Sequence, residues 1–141
     1  MRTITVALGE KTYNIEIAAG LLDQIGAKAR VLSQAVKAAI ISDSNVDPLY
    51  GERLERSLAA SGFEVTRIVF AAGEQSKNLT VLGQVYDELA RAGLTRSDLI
   101  LTLGGGVPGD LGGFAAATFL RGIDFIQVPT SLLAQIDSSV G

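Results

Sequence analysis

The chain has 141 residues, of which 48% are hydrophobic, 19% charged and 6% aromatic, so it is neither disordered nor fibrous and has enough chain for one full core, with a second domain cramped. Twelve Lys and Arg against fifteen Asp and Glu leave a net charge of -3, without the basic stripe that contacts to a phosphate backbone require, so no nucleic-acid partner is expected. The absence of Cys and His excludes a disulfide framework, a thiolate nucleophile, a Ser-His-Asp triad and imidazole zinc ligands, so any metal would need carboxylates alone and no metal ligand is assigned.

Thr3 to Leu8 and Thr12 to Ile17 alternate apolar and polar residues around Gly9-Glu10-Lys11, which predicts a β-hairpin. Ala18 to Leu32 has helical spacing through Leu21, Leu22, Ile25 and Ala29. Ala38 to Ser42 is a short apolar run of the kind that forms a strand buried on both faces, closed by Asp43-Ser44-Asn45. A helix is predicted from Pro48 to Ala60, with Pro near its first turn and Gly62 past its end. Val65 to Phe70 reads as the next strand, 71–77 as a polar loop, and Leu79 to Ala92 as a helix stopped by Gly93. Leu99 to Leu103 is again a solid apolar strand and runs into three glycines. Asp110 to Leu120 reads as helix, Phe125 to Val128 as strand, and Ser131 to Ile136 as the opening of another helix. A hairpin followed by alternating buried strands and helices predicts an α/β fold with a doubly wound, mostly parallel sheet, read as a single domain over 1–141. Ligands of such sheets bind at the carboxyl ends of the strands, so the loops Asp43 to Asn45, Gly73 to Lys77, Gly104 to Asp110 and Pro129 to Ser131 are expected along one edge.

The N-terminus lacks the apolar core of a signal peptide and no stretch reaches about 18 apolar residues, so a cytoplasmic chain without a membrane partner is expected. Gly104-Gly105-Gly106-Val107-Pro108-Gly109 has the spacing G-x-G-x-x-G after a strand, where glycines let a backbone approach a pyrophosphate; the alternative is a tight turn with close helix packing. Pro108 suits the first helical position but has no N–H to offer an anion. Asp124 lies about 20 residues on, where the dinucleotide fingerprint wants a ribose-binding acid, but it precedes a strand instead of ending one. Asp43 and Asn45 stand where groups that bind a nucleoside's hydroxyls belong, or where an Asx-turn forms. Glu74 and Lys77 have the spacing of an i,i+3 ion pair or of groups placed over a cofactor. Arg121 is either a fork for phosphate or carboxylate or a surface charge at a helix end.

Taken together, Gly73-Glu74-Gln75-x-Lys77, Gly104-Gly105-Gly106-Val107-x-Gly109-Asp110-Leu111, Phe114-Ala115-Ala116, Arg121-Gly122, Gln127-Val128-Pro129-Thr130 and Asp137-Ser138-Ser139-Val140-Gly141 closely resemble the 3-dehydroquinate synthase family in order and spacing. That family is similar to the iron-dependent alcohol and glycerol dehydrogenases, and the resemblance implies a Rossmann-like domain that binds NAD. Family members are about twice to two and a half times as long. They carry zinc or cobalt on a glutamate and two histidines of a C-terminal helical domain, which is expected to be absent here. The implied reaction takes the sugar phosphate 3-deoxy-arabino-heptulosonate 7-phosphate to 3-dehydroquinate by oxidation, loss of phosphate, reduction and ring closure, with NAD regenerated.

The resemblance assigns Asp43 and Asn45 to the adenosine side, and Gly73, Glu74 and Lys77 to a loop over the ribose. Gly104, Gly105, Gly106, Val107, Gly109 and Asp110 fall to the pyrophosphate and ribose loop, and Thr130 and Ser131 to the nicotinamide end. Asp137 matches an acid that contacts substrate, and Arg121 an arginine that reaches the substrate phosphate across a homodimer interface. Pro108 departs from the family, which has a branched aliphatic residue there, so pyrophosphate binding would rely on neighbouring amides. The alternatives are another sugar phosphate cyclase, such as an inosose or valiolone synthase, and a stand-alone nucleotide-binding module.

Overall fold

The computed structural model describes residues 2–130 and Gln135. The N-terminal alternation forms the strands β1 (Arg2–Val6) and β2 (Tyr13–Ile17), paired antiparallel and joined through a 3-10 turn at Gly9–Lys11. They make a separate two-stranded sheet, unpaired with the main sheet and mostly exposed. The predicted helix of 18–32 is shorter: a 3-10 turn at Leu21–Gln24 leads into α1 (Ile25–Leu32), because Gly20 in the left-handed region (φ 71°) breaks the run.

The main sheet consists of β3 (Lys37–Asp43), β4 (Glu64–Phe70), β5 (Leu99–Gly104) and β6 (Asp124–Pro129), all parallel, in the order β4-β3-β5-β6. The helices between them are α2 (Glu52–Ala60), entered through a π turn at Asp47–Gly51, α3 (Leu79–Arg91) and α4 (Gly106–Thr118). Alternation along the strands divides the core in two. Ala38, Ile40, Leu99, Leu101 and Leu103 pack with Ile25 and Ala29 of α1 and Leu54 and Leu58 of α2. Ala39, Ile41, Ile68 and Ile100 pack on the other side with Leu82, Val85 and Leu89 of α3 and Leu111 and Ala115 of α4. Helices therefore cover both faces, as the solid apolar strands predict, and the sheet is doubly wound.

Two close approaches hold these layers. Arg30 of α1 donates to Ser61 O (3.0 Å) at the end of α2 and to Ala35 O (2.9 Å) before β3, with its guanidinium 3.7 Å over the Phe63 ring. On the opposite face, a Cβ on Gly112 would lie 2.5 Å from Thr102 Cγ2, so α4 sits on β5 at glycine distance.

At the amino edge of the sheet Asp98 is buried, and its carboxylate accepts from Lys37 N (2.9 Å), Thr95 N (2.8 Å) and Thr95 Oγ1 (3.1 Å), fastening the start of β5 to the start of β3. Burial pushes its pKa up, but these hydrogen bonds outweigh burial and hold it below the ordinary Asp value. A carboxyl lowered in the folded state stabilises above its unfolded pKa and loses that contribution as pH falls through the folded one. Asp98→Ala is expected to cost about 1–3 kcal/mol at neutral pH. Thermal melts from pH 7 down to strongly acid conditions check this: the gap between the unsubstituted chain and the variant should close on acidification.

Among the described residues, no helix is long and apolar enough to cross a membrane.

Candidate functional site

Because the four main strands are parallel, their ends and the loops after them lie along one edge, with Glu74 and Lys77 after β4, Asp43 ending β3 and Asn45 just beyond it, Gly104 ending β5 and the other glycines following, and Thr130 after β6. The chain passes from β3 outward to β4 and returns on the other side of β3 as β5. The switch point therefore lies between Asp43 and Gly104, directly beyond the paired residues Ser42 and Leu103. Buried Ser42 Oγ donates to Leu103 O (2.7 Å) and locks the two strand ends together.

Asp43 is buried, and its Oδ1 accepts from the amides of Asn45 and Val46, both at 2.9 Å. This is the Asx-turn weighed from the sequence, and it fixes the carboxylate at the mouth of the switch point. Ser44, which pattern reading passed over, ties the neighbouring loop: its amide donates to Phe70 O (2.9 Å) and its Oγ accepts from Ala72 N (2.9 Å). The only local signal was its place between two Asx residues at a strand end.

The glycine run departs from expectation. Helix α4 begins at Gly106 instead of Asp110, so Gly106, Val107, Pro108 and Gly109 are its first turn and Gly105 its N-cap. Pro108 is accordingly the third helical residue, not the first. Glycine and proline are poor helix formers, which hides such a helix from propensity; burial of Pro108, Leu111, Gly112, Ala115 and Ala116 overrides them. Gly109 N donates to Gly105 O (3.2 Å), whereas the Gly106 and Val107 amides precede that first intrahelical donor and, as in the first turn of any α-helix, have no intrahelical acceptor. Gly104 has φ 148°, and a Cβ there would come within 2.6 Å of Pro108 Cγ. Its carbonyl accepts from Thr130 N (2.9 Å), which brings β6's end to the same place.

Lys77 forms the expected pair with Glu74 (3.1 Å) and a second, not foreseen, with Asp110 of α4 (2.9 Å). Asp110 first and Glu74 second raise the Lys77 pKa above the ordinary lysine value, against partial desolvation. Asn78 caps α3 through Val81 N (2.8 Å) and holds Gln75 O (2.8 Å), so this loop is anchored at its far end too.

Arg121 lies elsewhere. Helix α4 starts at the carboxyl edge and runs 13 residues, about 20 Å, so its end and Arg121 are at the amino edge, away from every other site residue described. Arg121 is exposed, and with Leu120 it occupies left-handed backbone (φ 66° and 50°). Asp124, at the exposed start of β6, is on that same edge, which rules it out as a partner of the glycine turn. Ser131, Asp137 and the helix expected over 131–136 lie outside the described residues. Among the described residues there is no group of three or more acidic, His or Cys side chains able to hold a metal.

The family pattern for the 3-dehydroquinate synthase N-terminal region matches residues 67–141. The chain belongs to the 3-dehydroquinate synthase family. The 3-dehydroquinate synthase of Clostridium acetobutylicum is 52% identical over 141 residues, covering 100% of this chain and 40% of that protein. That of Enterococcus faecalis is 53% identical over 138 residues, 98% of this chain and 38% of that protein. The chain thus spans about two fifths of the length of these synthases. Among solved structures, 2-deoxy-scyllo-inosose synthase complexed with carbaglucose-6-phosphate, NAD+ and Co2+ superposes with a TM-score of 0.88 at 26% identity, covering 97% of this chain and 38% of that one. The 2-epi-5-epi-valiolone synthase of Streptomyces hygroscopicus, with NAD+ and Zn2+ bound, has a TM-score of 0.76 at 32% identity over 96% of this chain and 37% of that one.

Proposed function

We propose that residues 1–141 form the NAD-binding domain of a 3-dehydroquinate synthase, whose whole chain converts 3-deoxy-arabino-heptulosonate 7-phosphate to 3-dehydroquinate and phosphate. The observation that carries this reading is the switch point itself, where β3 ends on the buried Asp43 beside the end of β5 that runs through Gly104 into α4. The residues fit a dinucleotide. A Cβ at Gly104 would run into Pro108, so glycine is what lets β5 turn this closely into α4, and the Gly106 and Val107 amides, with that of Gly105, offer donors to a pyrophosphate at the positive end of the helix. Pro108 removes a donor only at the third position, so the amides before it carry the contact.

In this reading Asp43 and Asn45 hold the adenosine side, while Gly73, Glu74 and Lys77 form the loop beside the ribose. Gly104 to Val107 and Gly109 shape the pyrophosphate turn, Asp110 accepts from a ribose hydroxyl, and Thr130 with Ser131 borders the nicotinamide. NAD bound here would supply a hydride acceptor, and the ketone left on the substrate would make its neighbouring C–H acidic. Asp137 contacts substrate. Arg121, about 20 Å from the glycine turn, serves the phosphate of a substrate held by a second copy, so the whole enzyme works as a homodimer. The described residues do not fit the zinc or cobalt of the family, and no step is assigned to a metal on them. Identity near one half to named synthases, against 26% and 32% to the inosose and valiolone synthases, favours the dehydroquinate reaction over those cyclizations.

Calorimetric titration of the chain with NAD+ tests the domain assignment. Glu74→Ala and Asp110→Ala are each expected to weaken binding about tenfold, the loss of one charged hydrogen-bond partner. Unchanged affinity in both variants would remove this edge from the cofactor site.

A further inference from the structure

Asp110 poses an electrostatic problem for the site just proposed. It is the fifth residue of α4, about 6 Å along the axis from Gly106. A carboxylate there is attracted to the positive end of the helix, but it also repels any anion seated on the same turn. With Glu74 nearby, Lys77 sets a single positive charge against the two carboxylates it touches. The Lys77 ammonium has three donors, and two are committed, to Asp110 Oδ2 at 2.9 Å and Glu74 Oε1 at 3.1 Å. Its side chain remains 40% exposed, so burial does not trap it in this position; the two carboxylates hold it there. It joins the β4 loop to α4 across 33 residues of chain.

We infer that Lys77 is a positioning residue that acts as the internal counter-ion of Asp110, neutralising its carboxylate so that the first turn of α4 can accept a doubly charged pyrophosphate. The inference rests on the NAD-binding reading and adds a division of labour to it: backbone amides grip the phosphates, Asp110 takes a hydroxyl, and Lys77 cancels the charge that would oppose both.

The test is a double-mutant cycle in calorimetric NAD+ titrations at low, fixed ionic strength, with thermal melts to verify that each chain is folded. Lys77→Met is expected to weaken NAD+ about tenfold, because Asp110 is left uncompensated beside the phosphates. Adding Asp110→Asn to Lys77→Met should then restore affinity about threefold or more, although Asp110→Asn alone weakens binding. Loss of a merely structural brace would not reverse sign in this way. A double variant that binds as weakly as Lys77→Met, or more weakly, overturns the inference and makes Lys77 a direct phosphate ligand. Failure of the unsubstituted chain to bind NAD+ overturns the cofactor reading, and the inference with it.

Discussion

Gly26→Ala is expected to be among the most damaging single substitutions in the chain, lowering stability by about 3 kcal/mol and the melting midpoint by roughly 10 °C. Gly26 lies in the first turn of α1 where that helix meets α2, and its amide donates to Ser57 Oγ at 2.8 Å. An added Cβ would stand 1.8 Å from the Ser57 carbonyl oxygen and 2.4 Å from its carbon. Those are backbone atoms, and no rotamer change relieves them. The helices would have to separate, opening the layer of Ile25, Ala29, Leu54 and Leu58 against β3 and β5. Gly83 in α3 is the matched control, because a Cβ there meets nothing within 4 Å. Gly83→Ala is expected to raise stability by about 0.5–1 kcal/mol through helix propensity alone. Denaturant titration of both variants decides the matter, and a Gly26→Ala chain as stable as the parent would show that the α1–α2 contact yields freely.

Gly104→Ala is expected to reduce NAD+ affinity about a hundredfold. Two effects combine at this residue. Its φ of 148° is unfavourable for any side chain, and the new Cβ would press on Pro108 at 2.6 Å and 3.0 Å. Pro108 belongs to the first turn of α4, so relief of the contact displaces the very amides proposed to hold the pyrophosphate. A second substitution separates the effects: Pro108→Ala in the Gly104→Ala background removes the nearest contact and leaves the backbone strain, so affinity should recover only in part. Calorimetry on the single and double variants measures both terms. Full affinity in Gly104→Ala would mean that the glycine turn does not set the cofactor geometry.

Much of this architecture is legible in short windows of chain. Ala38 to Ser42 and Leu99 to Leu103 are apolar at every position but Ser42 and Thr102 because both faces of a parallel strand are covered, and each became a strand near its predicted bounds. The ion pair of Glu74 with Lys77 follows from a spacing of three. The Asx-turn at Asp43 follows from an Asp at a strand end, and its place at the switch point follows from the alternation of strands and helices. Motif order and spacing pointed to the family, whose pattern covers more than half of the chain.

Other features depend on residues far apart in the chain. No local pattern marks Gly106 to Gly109 as helix, since glycine and proline oppose it; the turn forms because α4 lies at glycine distance on Thr102 of β5. The pairing of Lys77 with Asp110 joins the loop after β4 to the start of α4, which meet only in the assembled sheet, where β3 alone lies between β4 and β5. Arg121 and Asp110 are 11 positions apart, yet the length of α4 sends them to opposite edges of the sheet. Propensity and periodicity act over a few residues and are written in the chain as it stands. Contact between layers is a property of the assembled sheet, and it alone decided which of the candidate groups meet at the switch point and which are held away from it.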